Sequence, residues 1–344
     1  MQRAPSITKS IIASTALVAC ACTTPESGTL QPHLAFQISG EIGLTAARDF
    51  TVDREGNVSV FDYGDYVIRQ FDSTGNLLMS FGGTGSEPGR FEHLMAIKAH
   101  GDSLLALDPG ALSVFDLSST LRSRRALADT VTCDHPRFHP DGRWAAGCIV
   151  DVTAELVLTH RSTNGSEERQ VASYALGEFF PGVEPGGFFF INRTQAPGYL
   201  YDFTSDGQLV WVASDRLRVF IDRDGIDETL FESEATAVPF PADEIAAMEE
   251  RQANLGPPLF MNVPHHYQLI QQLVVDESGD VWLHVVSEER TGLLRLSATG
   301  RERGFYAVDA DFDIMSARVT GAPGRLYFMV PGRESTAIYW VALP

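Results

Sequence analysis

The chain has 344 residues, 45 acidic and 26 basic, and a formal net charge of −19 at neutral pH. That excess, with no basic stripe interleaved with aromatics, argues against a nucleic-acid partner. The length allows one large domain or two ordinary ones, and 21 Phe, 9 Tyr and 4 Trp supply ample apolar mass for a core.

The first twenty residues read as an export signal. Arg3 and Lys9 precede an apolar stretch, Ser10 to Val18, which has the length of a signal h-region and is too short to span a bilayer. Leu17-Val18-Ala19-Cys20 resembles a bacterial lipobox, which makes 1–19 a lipoprotein signal peptide and Cys20 the lipidated first mature residue. Cys22 fits less well. Ala21, with no aspartate after the cysteine, resembles the signal for outer-membrane sorting, so the expected location is the cell envelope, held by acyl chains. Residues 20–33, with Pro25, Gly28 and Pro32, are expected to be a flexible tether.

Leu34 to Ile38 reads as a strand without a hairpin partner. The segment 50–91 then reads as one complete antiparallel sheet. Asp53-Arg54-Glu55-Gly56 and Asp72-Ser73-Thr74-Gly75 are D-x-x-G tetrads, in which the carboxylate accepts turn N–H groups and Gly takes positive φ. They are flanked by short β-branched and aromatic runs with no helical period. First-hairpin glycines recur at Gly56, Gly101, Gly142, Gly207, Gly279 and Gly324, and second turns follow at Gly75, Gly165, Gly225 and Gly300. The second unit has Leu117-Ser118-Ser119-Thr120 there instead, and the sixth unit ends one strand short. Leu34 to Ile38 can supply that strand, which closes a ring and removes the open edge. The expectation is an all-β, six-bladed β-propeller over 34–344.

The D-x-x-G-x-V-x-V-x-D of 53–62, the F-D-x-x-G of 71–75 and FGGTGSEPGRF at 81–91 resemble NHL-type six-bladed propellers, in particular exported bacterial ones. The likeness covers about 45–120, returns at 274–282 and fades in blades three and four, so only the fold carries over there. Gly82-Gly83-Thr84-Gly85 lacks the following helix that a phosphate loop needs, and reads as an inter-blade connection.

Departures from the repeat mark the candidate sites. Cys133 and Cys148 lie on opposite arms of the blade-three hairpin, a candidate disulfide in an oxidising compartment, although hairpin counting puts them one residue out of register. In this fold the a–b and c–d hairpins share one face, and the b–c and d–a connections share the other. On that second face the b–c connections carry Asp62, Asp65, Asp108, Asp151, Glu155, Asp215, Glu288, Glu289 and Glu334. Such a ring of carboxylates could hold a cationic ligand or a divalent cation such as Ca2+. Two insertions, 175–200 and 231–269, map to the same face, the second with a helix expected from Pro241 to Asn254 and with His265 and His266 after it.

Two functions follow as expectations. One is an envelope-anchored, non-catalytic binding or scaffolding propeller for an envelope protein or small-molecule ligand. The other is a cation-dependent propeller hydrolase of the lactonase or esterase kind, or a lyase, whose relatives hold a cation in the channel with Glu, Asn and Asp. The corresponding strand-a positions, Thr51, Ala96, Arg137, Asp202, Gln272 and Arg318, carry one acid and two arginines, which argues against the second.

Overall fold

A computed structural model describes residues 25–108, 111–126, 133–139, 141, 143–150, 155–161, 168–175, 198–255, 265–332 and 335–344. The signal peptide and Cys20 lie outside the described residues. The chain begins with β1 (Glu26–Leu30) and β2 (His33–Ser39). Blade one is β3 (Ala47–Val52), β4 (Val58–Asp62), β5 (Val67–Phe71) and β6 (Leu77–Gly82). Blade two is β7 (Ala96–His100), β8 (Ser103–Asp108), β9 (Ala111–Asp116) and β10 (Leu121–Ala126). Blade three is β11 (Cys133–Phe138), β12 (Trp144–Val150), β13 (Glu155–Arg161) and β14 (Glu168–Ala175). Blade four is β15 (Tyr199–Phe203), β16 (Leu209–Ala213), β17 (Arg218–Arg223) and β18 (Ile226–Glu232), followed by helix α1 (Ala242–Leu255). Blade five is β19 (Ile270–Val275), β20 (Val281–Val286), β21 (Thr291–Leu296) and β22 (Glu302–Val308). Blade six is β23 (Arg318–Ala322), β24 (Arg325–Pro331) and β25 (Ser335–Ala342), completed by β2, which pairs antiparallel with β25 from His33↔Trp340 to Ser39↔Ser335.

The innermost strands β3, β7, β11, β15, β19 and β23 each contact the next around the ring, and β23 contacts β3. The six-bladed ring is therefore closed by the N-terminal strand, as the repeat spacing requires. Burial follows the strand period of two. In β20, Val281, Leu283 and Val285 face blade four while Trp282 faces blade six, so both sides of each sheet are apolar. Six hydrophobic clusters result, one in each seam between neighbouring blades.

Hairpin chemistry matches the sequence. Asp53 Oδ1 accepts from Glu55 N and Asn57 N, each at 2.9 Å, and Gly56 sits at φ 84°. In blade two the glycine position is held by Ser119 at φ 60°, a left-handed conformation that costs an L-residue about 1 kcal/mol. Ser119→Gly relieves that strain but frees the unfolded chain, so a net gain of about 0.5 kcal/mol is expected in urea denaturation.

Two expectations are corrected. Residues 26–30 are not tether: β1 adds to blade five as a fifth strand, parallel to β22, from Glu26↔Gly304 to Leu30↔Val308. The reason is burial and pairing together. Leu30 enters the seam between blades five and six, Gly28 lies against the Tyr306 ring, and the Tyr306 hydroxyl donates to Glu26 Oε2 at 3.1 Å. Cys133 and Cys148 are not out of register. An irregularity between Asp134 and Arg137 absorbs the extra residue and makes the two cysteines direct cross-strand partners.

Candidate functional site

The lumen is lined from strand a of each blade, and its polar side chains bridge blades. Neighbouring inner strands splay apart and leave backbone groups unpaired, so side chains take their place. Asp49 Oδ2 accepts from Ile97 N at 3.1 Å, the Thr51 hydroxyl from Ala99 N at 2.9 Å, and Asp202 Oδ2 from Val275 N at 3.1 Å. Gln272 Nε2 donates to the Ala317 carbonyl. Lys98 of blade two reaches past blade three to Asp202 of blade four, Nζ to Oδ1 3.3 Å. Enclosure raises the pKa of Asp49, opposed by the positive fields of Arg137 and Arg318. These acids hold the ring together.

Sequence comparison of strand-a positions missed Asp49 and Lys98. Ala96 is packed in the seam between blades two and three, and Lys98, two residues on and therefore on the same side of β7, reaches across blade three to Asp202. Asp49 was legible from alternation, since buried Phe50 and Val52 put Asp49 and Thr51 on the opposite side of β3.

Among the described residues, the expected loop-face carboxylates Asp62 and Asp108 turn inward to backbone N–H groups. Asp62 is completely buried and accepts from Thr45 N at 2.7 Å, Ala46 N at 2.8 Å, Gly64 N at 3.0 Å and the Thr45 hydroxyl at 3.0 Å. Burial by itself would raise its pKa, but those donors outweigh it and hold the carboxyl below the ordinary range. Arg69 joins Asp62 to Asp65, at 3.2 and 2.7 Å. Asp108, 1% exposed, repeats the device in blade two by accepting from Glu92 N and His93 N at 3.0 and 2.7 Å. In blade four the Ser214 hydroxyl does the same for Gly198 N at 2.9 Å. A carboxylate or hydroxyl just past strand b thus satisfies the backbone entering strand a, which draws these groups inward. Asp151 and Glu334 lie outside the described residues, and Glu155 falls inside β13. Among the described residues no three His, Cys, Asp or Glu side chains are grouped to hold a metal ion.

The folded chain matches known architectures. No family model matches it, and no curated protein does. Solved structures do. A member of the DUF4221 family from Bacteroides vulgatus aligns with TM-score 0.53 and 10% identity, over 91% of this chain and 98% of its own. A Bacteroides fragilis protein provisionally named as exported aligns with TM-score 0.50 and 10% identity, over 93% and 100%. The calcium-binding protein regucalcin of Agrobacterium tumefaciens aligns with TM-score 0.48 and 13% identity, over 93% and 97%. At these identities the likeness is one of fold. The chain is a six-bladed β-propeller.

The remaining expected residues converge between blades four and five. Residues 233–240 form a ribbon clamped on both sides. Ala237 bridges Ser287 and Pro239 bridges His266, Thr236 N donates to Glu289 Oε2 at 3.2 Å, and Glu288 N donates to the Thr236 carbonyl at 2.9 Å. The Thr236 hydrogen bonds hold the Glu289 carboxyl down to about 2, while the Glu288 side chain is exposed. Helix α1 starts after Pro241, close to the expected bounds, with Ile245 and Met248 half-buried and most of its other described positions exposed. The Tyr267 hydroxyl ties it to the ring through Glu244, at 3.2 and 3.1 Å.

Below the ribbon is an open cleft of about 240 Å³ lined by Asp215, Thr236, His266, Tyr267 and Gln268 among others. Arg216 clasps the Asp215 carboxylate with two contacts of 3.1 Å. Gln268 Oε1 accepts from Ser214 Oγ at 3.2 Å, and Tyr267 lies 4.0 Å from the Phe240 ring. His266 is exposed at the rim, and His265 is exposed with its backbone carbonyl accepting from Phe240 N. The cleft offers donors, acceptors and an aromatic wall in a volume suited to one side chain or a small polar molecule. Tyr267, Gln268 and Thr236 carried no sequence signal, because the insertion places them.

Proposed function

We propose that this chain is an envelope-anchored binding or scaffolding module that recognises a protein or small-molecule partner through the loop-face cleft between blades four and five. One observation carries this reading. The acids that a channel cation would need are committed elsewhere, Asp62 and Asp108 to backbone N–H groups and Asp49 and Asp202 to neighbouring blades, whereas the cleft presents exposed Thr236 and His266 beside Asp215, which Arg216 holds. Anchoring rests on the lipobox at Cys20.

The test compares the mature protein from about Thr23 with its Asp215→Arg variant. Wild-type protein is expected to retain a partner or ligand from envelope extract that the variant loses. Calcium at one equivalent by calorimetry, together with lactone or ester turnover abolished by chelator, would replace this reading with the cation-dependent hydrolase.

We also propose a Cys133–Cys148 bridge, supported by their cross-strand register. Closing a loop of that size contributes about 3 kcal/mol. Exported protein alkylated without reductant is expected to lack modification at both residues. Two alkylated thiols would end the idea.

A further inference from the structure

The direction of β1 bears on how the propeller meets a membrane. Outer strand β22 starts at the c–d hairpin of blade five, around Gly300, and ends at the loop-face connection that leads to blade six. β1 runs parallel to it, so Glu26, opposite Gly304, lies at the hairpin end, and Leu30, opposite Val308, lies at the loop end. Asp309 N donating to the Leu30 carbonyl at 2.9 Å fixes that end.

Pairing of β1 also shortens the lead. A free tether from Cys20 to His33 would span roughly 45 Å, whereas the chain from Cys20 to Glu26 spans at most about 20 Å. Parallel pairing therefore sets both the length of the lead and the side from which it departs.

We propose that the hairpin-side rim of blade five faces the lipid surface and that the loop face, with the cleft at Asp215 and His266, is turned away from it. This rests on the anchored reading of Cys20 given above. A lead of that length starting at the hairpin end reaches the loop face only by doubling back along β1, about 13 Å, which uses up most of its span, whereas the hairpin rim lies directly beside its start. The cleft is thus presented to partners that approach from the aqueous side.

The experiment uses full-length lipidated protein in proteoliposomes with acceptor-labelled head groups. A genetically encoded fluorescent amino acid replaces either Thr299, in the blade-five c–d hairpin, or Glu288, in its b–c turn. Energy transfer is expected to be several-fold stronger from position 299 than from 288. A ten-residue Gly/Ser insertion after Pro25 is expected to reduce the transfer from 299. Equal transfer from both positions, stronger transfer from 288, or no response to the insertion would overturn the orientation while leaving the anchor intact. Absence of an acyl mass on Cys20, with protein that does not float with vesicles, would overturn the anchored reading and the orientation with it.

Discussion

Replacing His284 by leucine is expected to stabilise the propeller, and the gain should grow as pH falls. His284 lies in β20 on the side of Trp282, inside the seam between blades five and six, and is 1% exposed. Neither ring nitrogen has a hydrogen-bond partner among the described residues. Burial drives its pKa from the ordinary value of 6.5 down to about 4, opposed by the negative field of Asp313. Between about pH 6.5 and 4 the unfolded chain binds a proton that the folded chain refuses, so stability falls with falling pH across that window. The loss amounts to roughly 3 kcal/mol by pH 4. At pH 7 the gain on substitution is expected to be about 1–2 kcal/mol, from removing an unsatisfied buried imidazole. Urea denaturation of both proteins from pH 7.5 to 4.5 checks this. A variant whose stability declines with the wild-type slope would show that His284 does not set the acid limb.

The opposite outcome is expected at Asp62. Its carboxylate is fully buried, bonded to three backbone N–H groups and the Thr45 hydroxyl, and paired with Arg69, whose side chain is 9% exposed. Asp62→Ala leaves a nearly buried guanidinium with only Asp65 and the Gly43 carbonyl, and orphans the donors that shape the entry to β3. A loss of about 3–5 kcal/mol is expected. Asp62→Asn retains one carbonyl acceptor and should cost less. Metal content should be unaffected in either variant, whereas a true cation ligand would lose bound calcium at little cost in stability. Melting and calorimetry on the same samples separate the two roles.

Both residues mark the reach of a one-dimensional reading. Asp62 and Asp108 stand at the positions where a loop acid is expected, and residue type alone cannot show whether a carboxylate points to solvent or back at its own backbone. That depends on whether the d–a connection passes within reach, which is a property of the closed ring. His284 is similar. Strand alternation in β20 sets Val281, Leu283 and Val285 on one face and Trp282 with His284 on the other, but the seam that buries the second face is made by two blades and the N-terminal strand together. The cleft was less legible again, because Asp215, Thr236 and His266 meet only through a ribbon clamped by backbone hydrogen bonds.

The amino-acid sequence by itself determined the scaffold: the tetrads, the period-two runs and the strand missing from the last unit specify six blades and their closure. Those signals are local, since a turn needs its Gly or Asx residue and a strand needs its alternation within a few positions. Tertiary structure alone decided that residues 26–30 extend blade five, that the two cysteines are cross-strand partners, and which acids serve the backbone. Each of these depends on pairing between segments that meet only on folding, where burial and hydrogen-bond demand across a seam outweigh what any one segment prefers.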